Sequence, residues 1–129
     1  INNSAHVQIE CQRLQISQVL INLINNAFAV VKSLDHKWVK IVIDENENEN
    51  NLILSVTDSG LGIKAEIQKK MFNPMFTSKA IGEGSGLGLS ISSSIIKKHN
   101  GTLIYDEKSK YTCFIITLPK KRSQLALQA

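Results

Sequence analysis

A carboxylate that ends an apolar stripe is the first feature of this sequence that could do chemistry. Leu54, Val56 and Asp58 share one face by the two-residue period of a strand. An acid buried there needs hydrogen-bond donors, because burial without partners is costly. The exocyclic amine of adenine is such a donor, and Gly60 and Gly62 would let the backbone turn and approach a planar ring. Taken alone, the same residues also fit an ordinary Asp-Ser-Gly turn.

A glycine-rich run at the start of a predicted helix is the second feature. It reads Gly82-Glu83-Gly84-Ser85-Gly86-Leu87-Gly88-Leu89. Backbone N–H groups exposed by glycines at a helix N-terminus suit phosphate oxygens. The run has leucine where a dinucleotide fingerprint has its third glycine, and the chain has no Gly-Lys pair for a Walker loop. A flexible hinge is the alternative.

Side-chain amides form the third candidate group. Apolar residues at spacings of three and four predict a long amphipathic helix over residues 15–33. Asn22 and Asn26 lie one turn apart on one flank of that helix, whereas Asn25 points to the solvent side. A neutral amide oxygen at the edge of a core can ligate a Mg²⁺ ion that keeps its water and phosphate ligands. Without context, a helix with a few asparagines explains the pattern equally simply.

The segment between the two glycine motifs carries residues of a different kind. Phe72 and Phe76 could anchor a mobile segment, and the Lys79 ammonium could reach the β- or γ-phosphate of a nucleotide. Singly, such residues are more often packing and surface residues. Their position inside a glycine-bounded loop is what makes them candidates.

The elements that must position these groups follow from the hydrophobic periodicity. We predict strands at 5–10, 38–44, 52–58, 102–106 and 111–118, helices at 15–33, 65–71 and 87–99, and a polar hairpin connection at 45–51. This order predicts an open, largely antiparallel sheet with helices on one face. The irregular stretch at 60–86 would count against a compact domain unless it is a binding loop or lid.

Composition restricts the class of protein. At 129 residues, with 43% hydrophobic and 20% charged residues, the chain fits one globular domain. No apolar run is as long as a membrane span, and the cluster Lys120, Lys121 and Arg122 is better explained as a solvated tail than as a nucleic-acid or membrane contact. Cys11 and Cys113 have no metal-binding spacing, so we expect two reduced core thiols and no zinc site.

The motifs, in this order, resemble those of the catalytic and ATP-binding domain of bacterial sensor histidine kinases, in the superfamily of gyrase B, Hsp90 and MutL. Residues 18–27 are similar to the family's N box, 58–62 to its G1 box, 72–79 to its F box, 82–89 to its G2 box and 114–119 to its last strand. The resemblance implies an α+β fold, a two-layer α/β sandwich of the Bergerat type. Its mixed, mostly antiparallel sheet would have about five strands, with about three helices on one face. Residues 1–119 would form the domain and 120–129 a basic tail.

The resemblance also implies ATP and Mg²⁺ as ligands. By the family's pattern, Asn26 would ligate the metal with Asn22 assisting, Asp58 would bind the adenine amine, and Asn22 and Lys79 would be the catalytic residues. The implied nucleotide contacts are Asn22, Asn26, Asp58, Gly60, Gly62, Ile63, Phe72, Thr77, Lys79, Gly84, Ser85, Gly86, Leu87, Gly88, Leu89 and Thr112.

Two departures from the family bear on the reaction. Hydrolytic relatives carry a Glu where this chain has Asn22, which favours phosphoryl transfer over hydrolysis. His6, His36 and His99 all lack the acid and proline that follow the family's acceptor histidine, so we expect the acceptor on a segment upstream.

The implied function is that of a protein histidine kinase in a two-component system. The domain would donate the γ-phosphoryl group of Mg-ATP to a histidine on its own dimerisation and phosphoacceptor domain, and through it to a response regulator. We expect a monomeric, cytoplasmic domain of a homodimeric parent, with no nucleic-acid or membrane contact; whether the parent is anchored in the inner membrane stays open. The alternatives are an ATPase or Ser/Thr kinase on the same fold, or a non-catalytic nucleotide-binding module.

Overall fold

Four strands and three helices make up the part of the chain that the computed structural model describes, which is residue 9, residues 11–74 and residues 88–120. In chain order they are α1 (Arg13–Val31), β1 (Val39–Asn46), β2 (Asn51–Asp58), α2 (Ala65–Gln68), α3 (Gly88–Lys98), β3 (Thr102–Tyr105) and β4 (Cys113–Pro119). The predicted order of elements is confirmed from the first helix onward. The strand predicted at 5–10 falls almost entirely outside the described residues.

Helix α1 forms because its apolar residues return every fourth position. Val19, Leu23, Ala27 and Val31 are buried and form one row along the helix. The helix begins after Gln12, whose backbone is extended, and at its end the Lys32 N–H donates a hydrogen bond to the Phe28 carbonyl at 3.1 Å. The predicted helix is therefore confirmed, with both ends two residues nearer the N-terminus than expected.

The sheet has the order β1-β2-β4-β3, and each of its three pairings is antiparallel. β1 and β2 form the predicted hairpin, in which Asn46 lies opposite Asn51. Asn50 closes the turn with a φ of 55°, a left-handed conformation that asparagine tolerates better than most residues. The described part of the sheet thus has four antiparallel strands, against the expectation of about five in a mixed sheet.

Asn100 and Gly101, which follow the C-terminal end of α3, have different roles there. Asn100 takes the left-handed conformation, with a φ of 61°, although the next residue is a glycine, the type that adopts it most easily. The Gly101 N–H donates to Ile96 O at 2.9 Å and the Asn100 N–H to Lys97 O at 3.0 Å, which satisfies two terminal carbonyls. Gly101 is required for a second reason, because a side chain there would collide with the Thr117 carbonyl oxygen.

One face of the sheet and the two long helices enclose the core. The buried cluster consists of Val19, Leu23, Ala27, Val56, Met71, Ile95, Ile96, Leu103, Phe114, Ile116 and Leu118. On the opposite face of the sheet, Val42 and Ile104 are 38% and 50% exposed. The α+β class and the arrangement in two layers are therefore confirmed.

Helix α1 bears on the expectation about membrane spans. By length and composition alone it could cross a membrane, with a mean hydropathy of 1.4, although no run of the sequence is apolar without interruption. Polar residues are interspersed with so many aliphatic ones that the average stays high. In this fold the row from Val19 to Val31 packs into the core, and that role accounts for the apolar character of the row.

Both cysteines are free thiols, but they differ in burial. Cys113 on β4 is buried, as expected of a core thiol, whereas Cys11 is only half-buried. Cys11 lies just before the start of α1, outside the helix. The expectation of a core position is therefore confirmed for Cys113 and wrong for Cys11.

Lys120, the first residue of the predicted basic tail, is tied to the hairpin. Its N–H donates to the Asn50 carbonyl at 3.0 Å, and its ammonium group forms an ion pair with Glu45. These contacts continue the alignment of β4 beside β2 by one residue. The rest of the predicted tail, residues 121–129, lies outside the described part of the chain.

The first prediction concerns the row of α1 that faces the core. We expect Leu23→Ala to lower the free energy of unfolding by about 2–5 kcal/mol, because a 2%-exposed side chain would leave a cavity. Ile21→Ala, on the exposed face of the same helix, should change it by about 0.5 kcal/mol or less. Urea titrations of both variants measure the difference, and equal effects would contradict the assignment of the buried face.

Candidate functional site

The Asp58 carboxylate forms one end of the site. Its side chain is buried, and its Oδ1 accepts a hydrogen bond of 2.7 Å from the Gly60 N–H. Desolvation raises the pKa of Asp58 above the usual range, and the hydrogen bonds from the Gly60 N–H and the Thr112 hydroxyl oppose that rise. The site therefore holds a carboxyl group that is desolvated and partly compensated.

The position of Asp58 follows from the alternation along β2. Val56 and Asp58 both face the helical layer, so the strand that supplies apolar side chains to the core ends on an acid. Thr112, just before β4, lies beside it. The Asp58 N–H donates to Thr112 O, and the Thr112 N–H donates to Gly60 O, each at 2.9 Å. Two adjacent strands thus fix the backbone on both sides of the carboxylate.

The glycine loop, residues 59–63, leaves β2 over this carboxylate. At its start, the Ser59 N–H donates to Trp38 O at 3.0 Å, and the Trp38 N–H donates to Ser59 Oγ at 3.2 Å. In its middle, the Gly62 N–H donates to Thr112 Oγ1 at 3.0 Å. Gly62 has a φ of +102°, which favours glycine. The two hydrogen bonds at its start and the one to Thr112 hold the loop in a defined conformation.

Gly60 is the point where the loop, the acid and α1 meet. A Cβ atom at this position would lie 2.7 Å from Asp58 Oδ1, 2.8 Å from Val30 Cγ1 and 3.0 Å from Thr112 Oγ1. These distances are too short for any side chain, so glycine is needed for close packing here. The predicted G1 residues Asp58 and Gly60 and the predicted contact Thr112 are therefore in one cluster with the last turns of α1.

The amide flank of α1 leads to the other end of the site. Asn22 Nδ2 donates a hydrogen bond of 3.3 Å to Ser92 Oγ on α3, and Ser92 is fully buried. A Cβ atom at Gly88, the first residue of α3, would lie 3.9 Å from Asn22 Cγ. Asn26 is half-buried one turn further along the same flank. The amide flank therefore faces the start of α3, where the glycine-rich run ends.

Helix α1 connects the two ends of the site. Asn22 touches the start of α3, and Val30 contacts the glycine loop. The eight steps of the chain from Asn22 to Val30 correspond to about 12 Å along a helix axis. A ligand that lay along this flank would therefore have the carboxylate at one end and a helix N-terminus at the other.

The remaining predicted site residues divide into two groups. Ile63 and Phe72 are half-buried and pack against the core, and Leu89 is in the first turn of α3 and also contacts it. The predicted contacts Thr77, Lys79, Gly84, Ser85, Gly86 and Leu87 lie outside the described residues.

The described residues offer a restricted set of metal ligands. Among them, no group of three or more His, Cys, Asp or Glu residues could hold a metal ion. The oxygen ligands that the amide flank can offer come from Asn22 and Asn26, which are neutral. A hard cation at this flank would need its negative ligands from the bound molecule.

Three residues of the site were missed by sequence reasoning. Ser92 is the partner of Asn22, Tyr105 accepts a hydrogen bond of 2.9 Å from the Ile63 N–H, and Trp38 is the partner of Ser59. A polar residue on the apolar face of α3 was a readable signal for Ser92. Tyr105 follows Leu103 on the core-facing side of β3, but the sequence does not show that this strand ends beneath the glycine loop.

Comparison with known proteins gives a consistent set of relatives. Residues 11–122 match the family described as histidine kinase-, DNA gyrase B-, and HSP90-like ATPase. Sporulation kinase E of Bacillus subtilis (strain 168) is 33% identical over 116 residues, which cover 89% of this chain and 15% of that protein. Sensor histidine kinase ZraS of Escherichia coli (strain K12) is 35% identical over 118 residues, which cover 91% of this chain and 24% of that protein. The chain thus spans less than a quarter of the length of these two relatives.

Solved structures agree with the sequence matches. The catalytic domain of histidine kinase ThkA, in a nucleotide-free form, superimposes with a TM-score of 0.79 at 33% identity, over 93% of this chain and 77% of that chain. The mycobacterial sensor histidine kinase MprB gives 0.72 at 25% identity, over 88% and 77%. With the motifs, the two-layer fold and these relatives in agreement, the chain belongs to the histidine kinase-, DNA gyrase B- and HSP90-like ATPase family, as an ATPase-type domain of sensor histidine kinases.

Proposed function

We propose that this chain binds Mg-ATP and donates its γ-phosphoryl group to a histidine on a separate dimerisation and phosphoacceptor domain of the same parent protein. The arrangement along α1 carries the proposal: a buried acid beneath a glycine loop lies at one end, and side-chain amides beside a helix N-terminus lie at the other. This spacing suits a nucleotide, because its base needs a hydrogen-bond acceptor and its phosphates need hydrogen-bond donors and positive charge.

At the base end, Asp58 supports adenine as the ligand. Its carboxylate can accept a hydrogen bond from the exocyclic amine, and a charge-assisted bond in a desolvated site is strong. Gly60 and Gly62 have no side chains, so a planar base can lie against the backbone. Guanine presents a carbonyl oxygen where adenine has its amine, so the same carboxylate would repel it.

At the phosphate end, the amide flank supports magnesium that arrives with the nucleotide. Asn26 and Asn22 are proposed to hold the ion through their side-chain oxygens, and neither is charged. When bound, the ion would neutralise charge on the phosphates. Gly88 and the residues before it are proposed to offer backbone N–H groups to phosphate oxygens. Lys79 is proposed as a second source of positive charge.

The side chain of Asn22 supports phosphoryl transfer rather than hydrolysis. Its amide nitrogen donates to Ser92, and an amide is not basic enough to take a proton from an attacking water. We therefore expect the chain alone to release phosphate from ATP slowly, in an assay coupled to phosphate detection. Rapid turnover would favour the alternative of an ATPase.

We propose that the histidine that accepts the phosphoryl group is not one of the described histidines of this chain. Both ring nitrogens of His99 are engaged, since Nε2 accepts from the Gln12 N–H at 3.0 Å and Nδ1 is 2.8 Å from Ile95 O. We propose that the acceptor helices belong to the parent, that a response regulator receives the phosphoryl group from them, and that the reaction takes place in the cytoplasm.

Calorimetry with ATP, with and without Mg²⁺, tests the proposal. We expect saturable binding of ATP and weaker or no binding of GTP at the same concentration. Absence of ATP binding by the folded chain would end the proposal. Transfer of radiolabelled phosphate from ATP to a purified phosphoacceptor domain of the parent would then distinguish a kinase from a non-catalytic nucleotide-binding module.

A second prediction separates the two roles of Asp58. Asp58→Asn should weaken ATP binding roughly tenfold to hundredfold, because a charge-assisted hydrogen bond is lost. The raised pKa means that the unfolded chain ionises this acid at a lower pH than the folded chain. The Asp58 carboxyl therefore makes the nucleotide-free protein less stable as the pH rises from the ordinary aspartate range.

Urea titrations from acid to neutral pH measure that contribution. In Asp58→Asn, the part of the pH-dependent loss of stability that comes from ionisation of Asp58 should be missing. Asp35→Asn removes an exposed acid and therefore controls for the change in net charge. Identical pH profiles for Asp58→Asn and the unmodified chain would contradict a raised pKa of this carboxyl in the folded protein.

A third prediction concerns the amide flank. Asn26→Ala should reduce the gain in ATP affinity that Mg²⁺ gives, and leave the affinity for metal-free ATP nearly unchanged, because a ligand of the ion is lost. Asn25→Ala is the matched control, since Asn25 is the exposed neighbour on the same turn. If both variants respond to Mg²⁺ like the unmodified chain, Asn26 is not a metal ligand.

A further inference from the structure

We infer that Tyr105 is a positioning residue of the nucleotide site, whose phenol oxygen fixes the glycine loop in the conformation that receives the base. The inference rests on the proposed function and deepens it, because it assigns the order of the loop to a residue outside the recognised motifs. Tyr105 lies 42 residues beyond Ile63, its hydrogen-bond partner in the loop.

The packing of Tyr105 determines where its phenol points. It is the last residue of β3 and lies opposite Phe114 of β4. The two rings are 5.6 Å apart between centroids and are tilted by 58°. Since Phe114 is buried in the core, the tyrosine ring packs against a neighbour whose own position is fixed. Its hydroxyl therefore extends from the edge of the core to the underside of the loop.

The phenol oxygen contacts two consecutive residues of the loop. It accepts a hydrogen bond of 2.9 Å from the Ile63 N–H. A Cβ atom at Gly62 would lie 3.1 Å from the same oxygen, so the loop rests directly on the hydroxyl. Gly62 also has a positive φ, and the direction of the Ile63 N–H depends on that turn. Tyr105 thus secures the part of the loop with the least common backbone conformation.

A second hydroxyl acts beside it. Thr112 Oγ1 accepts from the Gly62 N–H at 3.0 Å, so two successive N–H groups of the loop donate to side chains of the sheet region. The next carbonyl, that of Ile63, accepts from Gln68 Nε2 at 2.7 Å. The loop is therefore ordered before a ligand arrives. Binding to an ordered loop is stronger because less conformational entropy is lost on association.

The two hydroxyls are not equivalent in function. Thr112 also donates to the Asp58 carboxylate, so its loss would disturb the acid as well as the loop. Tyr105 bonds to the loop without touching the acid, and removal of its oxygen should affect loop order alone. Tyr105→Phe keeps the ring packed on Phe114 and leaves the half-buried Ile63 N–H without its acceptor.

The experiment compares Tyr105→Phe with Tyr111→Phe in the 129-residue chain. Tyr111 is the matched control, because its ring meets the Trp38 ring edge-on at 4.8 Å and this contact does not need the hydroxyl. We expect Tyr105→Phe to weaken binding about threefold to tenfold. The loss should be the same for ATP, ADP and adenosine, since the defect is at the base end. Tyr111→Phe should bind all three like the unmodified chain.

Hydrogen exchange of individual amides gives a readout that a purely structural role would not change. In Tyr105→Phe without nucleotide, exchange should become faster at Gly62 and Ile63, while buried amides of β2 and β4 keep their rates. Faster exchange throughout the sheet, or no change at Ile63, would overturn the inference even if the variant were less stable.

The outcomes separate the inference from the proposed function. If the unmodified chain binds no adenine nucleotide, the proposed function fails. If it binds ATP and Tyr105→Phe binds equally well, the inference alone is wrong. A loss seen with ATP and absent with adenosine would also overturn it, since it would locate the effect at the phosphates.

Discussion

The Asp58 carboxylate is an acidic side chain in a buried position. It continues the core-facing row of β2, and at 4% exposure it has lost nearly all of its contact with solvent. The Gly60 N–H and the Thr112 hydroxyl compensate only part of that loss, so burial still raises the pKa. The folded chain thus carries a desolvated acid that a ligand with a suitable donor can satisfy. As a consequence, the chain without ligand is less stable, but it can bind selectively a ligand that donates a hydrogen bond to Asp58.

Helix α1 supports that arrangement because its two sides have different tasks. The row from Val19 to Val31 fixes the helix on the sheet, and this fixes in turn the direction of the amide flank with Asn22. Val30 packs against Gly60 so closely that no side chain would fit there. A shift of the helix would therefore alter the base end and the phosphate end together. The packing of α1 on the core therefore also fixes the geometry of the site.

The glycine loop combines glycines, which have high backbone conformational freedom, with hydrogen bonds that restrict this freedom. Gly62 permits the positive φ that the turn requires, and hydroxyls of Thr112 and Tyr105 then hold the following backbone in place. Glycine alone would leave the loop with a large entropy to lose on binding. The sheet supplies the order, which is why the residues that secure the loop lie far from it in sequence.

The sequence by itself determined the secondary-structure elements and the kinds of side chain at the site, because hydrophobic periodicity and residue type are local properties of the chain. The helix of α1, the hairpin and the acid followed by glycines were all predicted, and the fold class follows from their order. The predicted strand at 5–10 and the predicted contact Lys79 stay predictions, since Lys79 and all of that strand except Ile9 lie outside the described residues. Tertiary structure alone decided the contacts of Tyr105 and the bond between Asn22 and Ser92. It also decided that Asn100 takes the left-handed turn and that Gly101 packs closely against β4. These outcomes depend on which strands become neighbours and how closely the helices approach them, and distances between remote residues are not encoded in any local pattern.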